Sequence, residues 1–152
     1  MHMSKKIIAT NRKAKFQFHL YDRFEAGIAL VGTEIKSIRA GSVSLKEAFV
    51  HVDDGEAWLV DSHIAVYEPA SYFNHAPKRR RKLLLHKKEI KKLWEATKQK
   101  GMTVVPTQMY LVKGRAKVEI TLAKGKKLHD KRKEIQRREV EREIERQARE
   151  RR

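Results

Sequence analysis

Phe24 to Ile38 reads FEAGIALVGTEIKSI. The run is rich in residues that favour strands and is interrupted by Gly27 and Gly32. In a long strand such glycines mark a bulge or a sharp bend, the corner a sheet needs when it closes on itself. The stretch therefore predicts a barrel. Upstream, Phe16, Phe18 and Leu20 alternate with Lys15, Gln17 and His19, the two-residue period of a strand with one dry face, and predict a first strand. Downstream, Gly41-Ser42 closes the segment, and Ser44 followed three residues later by Glu47 predicts a short capped helix over residues 44–48. Phe49–Val52 and Ala57–Val60 are expected to pair around Asp53-Asp54-Gly55-Glu56, because Asp-Gly is a strong two-residue hairpin signal.

Beyond Ile64 the apolar pattern lapses through YEPASYFNHAPKRRRK, a loop long enough to suspect a function. Leu83-Leu84-Leu85 follows, then a helix from about Lys87 to Lys100, with Ile90, Leu93, Trp94 and Thr97 on one side and Gly101 as its stop. Met102–Val112 and Ala116–Leu122 form a last hairpin across Lys113-Gly114-Arg115, with Pro106 requiring an edge or a bulge. Thr107-Gln108-Met109 is less aliphatic than that strand calls for. The fold class expected is mainly β: a small antiparallel barrel of the oligonucleotide-binding type with two or three helices and a basic C-terminal tail. Met1-His2-Met3 reads as a cloning remnant ahead of a start at Met3, residues 4–123 as the barrel, and residues 124–152 as a tail.

The formal charge of +17, from 36 Lys and Arg against 19 Asp and Glu, calls for a polyanionic partner to relieve self-repulsion. From Lys124 onward thirteen cations face seven anions, a net of +6, so residues 1–123 hold the remaining +11. The body is basic in its own right. No apolar run approaches a membrane span, which favours nucleic acid over a membrane and a cytoplasmic setting. The absence of cysteine removes disulfides, thiolate metal sites and cysteine nucleophiles together. The histidines lack metal-ligand spacing, and there is no phosphate-cradling glycine loop or nucleophile elbow, so neither catalysis nor a cofactor is expected. Asp53, Asp54 and Glu56 read as turn chemistry in preference to a Mg²⁺ site.

Three basic features are candidate phosphate contacts: Asn11-Arg12-Lys13 ahead of the first strand, Lys36 with Arg39, and the run Lys78, Arg79, Arg80, Arg81 and Lys82. Cations on phosphates give affinity and steep salt dependence without reading sequence. Glu25 is an oddity in so basic a chain: it is either an exposed strand glutamate paired with a lysine or an acceptor for the amino groups of an unstacked base. In the tail, Leu128, Ile135, Val140, Ile144 and Ala148 make a thin apolar stripe, and Glu134 with Arg138 and Glu145 with Arg149 are helix pairs each contributing about 0.2 to 0.5 kcal/mol. The tail is expected to be frayed when free and helical in an anionic groove, where it would reach about 34 Å.

NRKAKFQF, FEAGIALVGTEIKSIRAGSVSLKEAFV, RRKLLLHKKEI and AKGKKLHDKR together resemble the SsrA-binding protein (small protein B) family, in order and across nearly the whole chain. The resemblance implies an oligonucleotide-binding-type barrel that holds the tRNA-like domain of transfer-messenger RNA (tmRNA) and rescues bacterial ribosomes stalled on messages lacking a stop codon. It implies a cytoplasmic monomer without catalysis. Its implied partners are tmRNA, the stalled 70S ribosome with its small-subunit RNA, and elongation factor Tu through aminoacylated tmRNA. Carried over residue by residue, the RNA surface falls on Asn11, Lys13, Glu25, Ala26, Gly27, Lys36, Arg39 and Leu84, with the basic loop beside it. Lys124, Gly125, Lys126, Lys127, His129, Asp130, Lys131 and Arg132 fall on the part of the family that acts at the decoding centre, from which the tail continues into the empty message channel. The glutamates beyond Arg132 have no role in that picture other than helix pairing.

Overall fold

The computed structural model describes residues 5–70, 73–126 and 128–150, with the side chains of residues 128–131, 133, 134 and 150 outside that description. Among the described residues nine strands and four helices follow one another: β1 (Lys5–Thr10), α1 (Arg12–Gln17), β2 (Phe18–Ile28), α2 (Gly32–Arg39), β3 (Val43–Ser44), β4 (Phe49–Asp53), β5 (Glu56–Val60), β6 (His63–Ile64), β7 (Arg81–Leu84), α3 (Lys87–Thr97), β8 (Met102–Val112), β9 (Arg115–Gly125) and α4 (Leu128–Glu150). Every strand pairing is antiparallel.

The ladder closes. β8 pairs with β4, β4 with β5, β5 with β7, β7 with β2, β2 with β9, and β9 returns to β8, while β1 extends the far half of β8. The ring is filled by Ala26, Ile28, Val50, Leu59, Leu83, Val118 and Ile120, with Leu93 of α3 and Ile38 of α2 packed against it. Both hairpins form where Gly supplies a positive φ: Asp54-Gly55 joins β4 to β5, and Lys113-Gly114 joins β8 to β9. The register of β8 on β9 shifts between Pro106 and Gln108, the bulge that the proline requires. Thr107 is buried there by hydrogen-bonding Glu119 Oε1 at 2.7 Å and Thr121 Oγ1 at 3.2 Å, so a polar residue serves where an aliphatic one was expected.

Four local expectations are corrected. Phe16 lies in α1, because the Asn11 side chain caps that turn by accepting from the Ala14 N–H at 3.2 Å, and the strand starts at Phe18. β1, KKIIAT, is an additional edge strand on β8. Gly32–Arg39 is a helix whose first turn is closed by Glu34 Oε1 accepting from Val31 N–H at 2.9 Å, and its buried residues Glu34, Ser37 and Ile38 recur at helical spacing. Residues 44–48 form a strand end and a turn in place of a helix, since Glu47 leaves its capping position for the Lys13 ammonium at 2.7 Å.

Candidate nucleic-acid interface

The strand register of β2 on β7 sets Gly27 against Leu84. A Cβ at residue 27 would stand 3.2 Å from the Leu84 Cβ, so glycine is what lets these strands meet so closely. Leu84 nevertheless turns outward and is 54% exposed. Together with Glu25, Gly27, Lys82 and Lys117 it lines an open cleft of about 640 Å³. Glu25 is exposed, and the Tyr110 hydroxyl donates to its Oε2 at 2.5 Å. Burial, and then the hydrogen bond and negative charge of Glu25, hold the Tyr110 phenol well above its ordinary pKa, so it stays a donor. The Lys5 ammonium covers the Tyr110 ring at 3.9 Å from its centroid. The result is one oriented carboxylate, an apolar side chain and three lysines, Lys82, Lys87 and Lys117, around a cleft: acceptor, contact surface and phosphate partners for a nucleotide. Sequence reasoning missed Tyr110. It reaches Glu25 only because β9 lies between β8 and β2, with Tyr110 opposite Lys117 and Lys117 opposite Gly27, a register no local pattern encodes.

The basic run does not act as one surface. Arg81 is 0% exposed, donating to Glu34 Oε2, to Ser62 through O and Oγ at 3.1 and 3.0 Å, and to Pro77 O at 3.1 Å. It is a core residue and presents nothing to a ligand, which corrects its assignment as a phosphate contact. Its partner Glu34 is also 0% exposed and receives Arg79 as a two-toothed fork, at 2.6 Å on Oε1 and 3.3 Å on Oε2. Burial opposes the charge on Glu34, but the hydrogen bonds from Arg79, Val31 N–H and Arg81 prevail and hold its pKa below the usual carboxylate range. Arg80 instead lies over the Trp58 ring at 5.3 Å, and Lys82 approaches Glu56 at 3.4 Å; Lys78 is exposed.

The other expected contacts are dispersed. The Ala26 side chain is fully buried in the ring, and Asn11 is spent on α1 and on the carbonyls of Leu45 and Pro106 at 3.1 and 2.9 Å, so neither offers a side chain to a partner. Arg12 and Lys13 border a separate cleft with residues 43–46. Lys36 and Arg39 project from α2, and Lys36 stands 5.5 Å from the Tyr67 ring. Lys124 and Gly125 are exposed at the end of β9 and still paired to β2, so the chain leaves the sheet at Lys126, whose N–H donates to Gln17 O at 2.9 Å. Lys127 and the side chains of His129, Asp130 and Lys131 lie outside the described residues. Arg132 is exposed on α4, and Arg138 of α4 stands 5.6 Å from the Phe16 ring. Among the described residues no helix is long and apolar enough to cross a membrane.

Comparison with known proteins agrees with this architecture. A family model described as SmpB protein matches residues 8–150. The SsrA-binding protein of Roseiflexus sp. is 54% identical over 147 residues, covering 96% of this chain and 93% of its own. That of Desulforudis audaxviator is 51% identical over 144 residues, covering 95% and 94%. A chain in the solved structure "tmRNA-SmpB: a journey to the center of the bacterial ribosome" superposes with a TM-score of 0.67 at 48% identity, over 78% of this chain and 84% of that one. A match of this extent by model, relatives and fold leaves one assignment: the chain belongs to the SmpB family.

Proposed function

We propose that this chain is an RNA-binding adaptor of trans-translation, without catalytic activity of its own. Its closed ring serves as an oligonucleotide-binding-type barrel that holds the tRNA-like domain of tmRNA. Its partners are then tmRNA, the stalled bacterial ribosome in the cytoplasm with its small-subunit RNA, and elongation factor Tu through aminoacylated tmRNA. The observation that carries the reading is Glu25: an exposed carboxylate aimed by Tyr110 at a lysine-rimmed cleft in a chain of +17. A carboxylate there repels phosphate and accepts from base amino groups, so it serves recognition in a way that surplus lysine does not. Lys82 supplies a phosphate contact beside it, and Lys36, Arg39, Lys78 and Arg80 supply others elsewhere on the surface. The tail from Lys124 through Lys127, His129, Asp130, Lys131 and Arg132 occupies the decoding centre, and α4 follows the message channel, gaining its order there.

The test is a competition between the tRNA-like domain and an unrelated RNA duplex for the intact chain and for Glu25→Ala. The intact chain is expected to prefer the tRNA-like domain. The variant should lose about 1–3 kcal/mol of that preference with its salt slope unchanged. An unchanged preference, or none in either protein, would leave a general basic nucleic-acid binder.

A further inference from the structure

Apart from Lys87, which also borders the Glu25 cleft, α3 carries charge that the interface above does not use. Lys87, Lys91, Trp94 and Lys98 follow one another at steps of four, three and four, which sets them in one line along the helix and its C-cap. Leu93 beside them is fully buried, so the line runs along the solvent edge of an anchored element. Trp94 stays 42% exposed, with the Lys98 ammonium 5.2 Å from its ring centroid. Between this edge and the β4–β5 turn lies a cleft of about 850 Å³, larger than the one at Glu25. Ile90 and Trp94 give it apolar surface, Lys87 and Lys91 one rim, and Asp53 and Asp54 the other. The two clefts share Gly55, Lys87 and Ile90 and are therefore neighbours.

We propose that this cleft is a second RNA site that takes one unpaired nucleotide, its base stacked on Trp94, its flanking phosphates on Lys87, Lys91 and Lys98, and its amino group donating to Asp53 or Asp54. An aromatic ring offered to solvent is a platform for any base, and lysines along a helix neutralise phosphates by counterion release. The aspartates repel phosphate, so the base enters the cleft and the backbone remains at the lysines; they accept from the amino groups of adenine, cytosine or guanine, which uracil lacks. An acidic peptide would meet the same aspartates without the compensation of stacking. The site does not depend on Glu25 or on tmRNA, so plain oligoribonucleotides test it.

The chain has two tryptophans, and Trp58→Phe leaves Trp94 as the only indole reporter. In that background, titration with single-stranded hexamers should quench the fluorescence saturably, more tightly for oligoadenylate than for oligouridylate. Trp94→Leu, checked for an unchanged melting temperature, should lower oligoadenylate affinity by about tenfold in an anisotropy assay, within the range of one base stack. Replacing Lys87, Lys91 and Lys98 together by Gln should reduce the salt slope by about 2. Unaltered affinity in Trp94→Leu overturns the site. So does equal quenching by polyglutamate, or an equal loss of affinity when exposed Lys6, Lys15 and Lys46 are replaced by Gln in its stead.

Discussion

Glu34 is a carboxylate without solvent exposure that stays charged because Arg79, Arg81 and the Val31 N–H all donate to it. The knot joins α2, the β7 strand and the loop before it, and His75 reinforces it by bridging Thr33 Oγ1 at 2.8 Å and Ile64 O at 2.9 Å. Removing one member of such a buried set strands the others. Glu34→Gln is therefore expected to cost about 3–5 kcal/mol in urea unfolding at neutral pH. Its pH dependence has a definite sign. The folded-state pKa of Glu34 lies below its unfolded value, so its contribution is complete above the ordinary glutamate pKa and disappears as pH falls through the lower folded one. Stability of the intact chain should fall below about pH 4.3, and that part of the acid slope should be missing from Glu34→Gln. An identical acid slope in both proteins would mean that the carboxylate is not held charged.

At the scale of elements, legibility divided according to where the stabilising partner lies. The two hairpins were legible because Asp54-Gly55 and Lys113-Gly114 carry their positive φ within the turn itself, and α3 because Ile90 and Leu93 are local, although the helix ends at Thr97 with Lys98 as its C-cap, short of the expected Lys100 and Gly101. α1, α2 and the turn at residues 44–48 were not, because their decisive contacts come from afar. Asn11 caps α1 while its amide group binds carbonyls 34 and 95 residues away, Glu34 is satisfied by arginines 45 and 47 residues on, and Glu47 is taken by Lys13. The site followed the same rule. Gly27, Leu84 and Lys82 could be placed near Glu25 from the resemblance, whereas the burial of Arg81 and the approach of Tyr110 depend on strand order. Asn11→Ala measures this long-range share directly. Loss of a cap alone costs about 1 kcal/mol, and losing the amide bonds to the Leu45 and Pro106 carbonyls, the first of which still accepts from Ala48 N–H at 3.1 Å, adds about 1–3 kcal/mol. A measured loss near 3 kcal/mol by chemical denaturation is expected, and a loss of only 1 would show that the carbonyl bonds contribute nothing.

Across the whole molecule the charge is not where the length of the tail suggests. Residues 124–133 hold six cations and one anion, whereas residues 134–150 hold five cations and six anions. The cationic part of the arm is therefore its root, beside the ring, and the body of α4 is close to neutral with internal pairs such as Arg137 with Glu141 and Arg146 with Glu143. A near-neutral helix adds little to the affinity of free RNA, because counterion release scales with the phosphates that cations neutralise. Truncation after Lys133 removes a net charge of only +1, and it removes a segment whose described side chains are exposed. The truncated chain should therefore keep the melting temperature, the tmRNA affinity and the salt slope of the full chain, while tagging of nascent peptides on stalled ribosomes is lost. Replacing Lys124, Lys126 and Lys127 by Gln should do the converse to the slope, lowering it by about 2 in a salt titration against RNA. If truncation lowers RNA affinity and the root substitutions do not, the contact made by Arg138 with Phe16 belongs to the RNA-binding body. The division between a gripping barrel and a reaching arm would then be drawn in the wrong place.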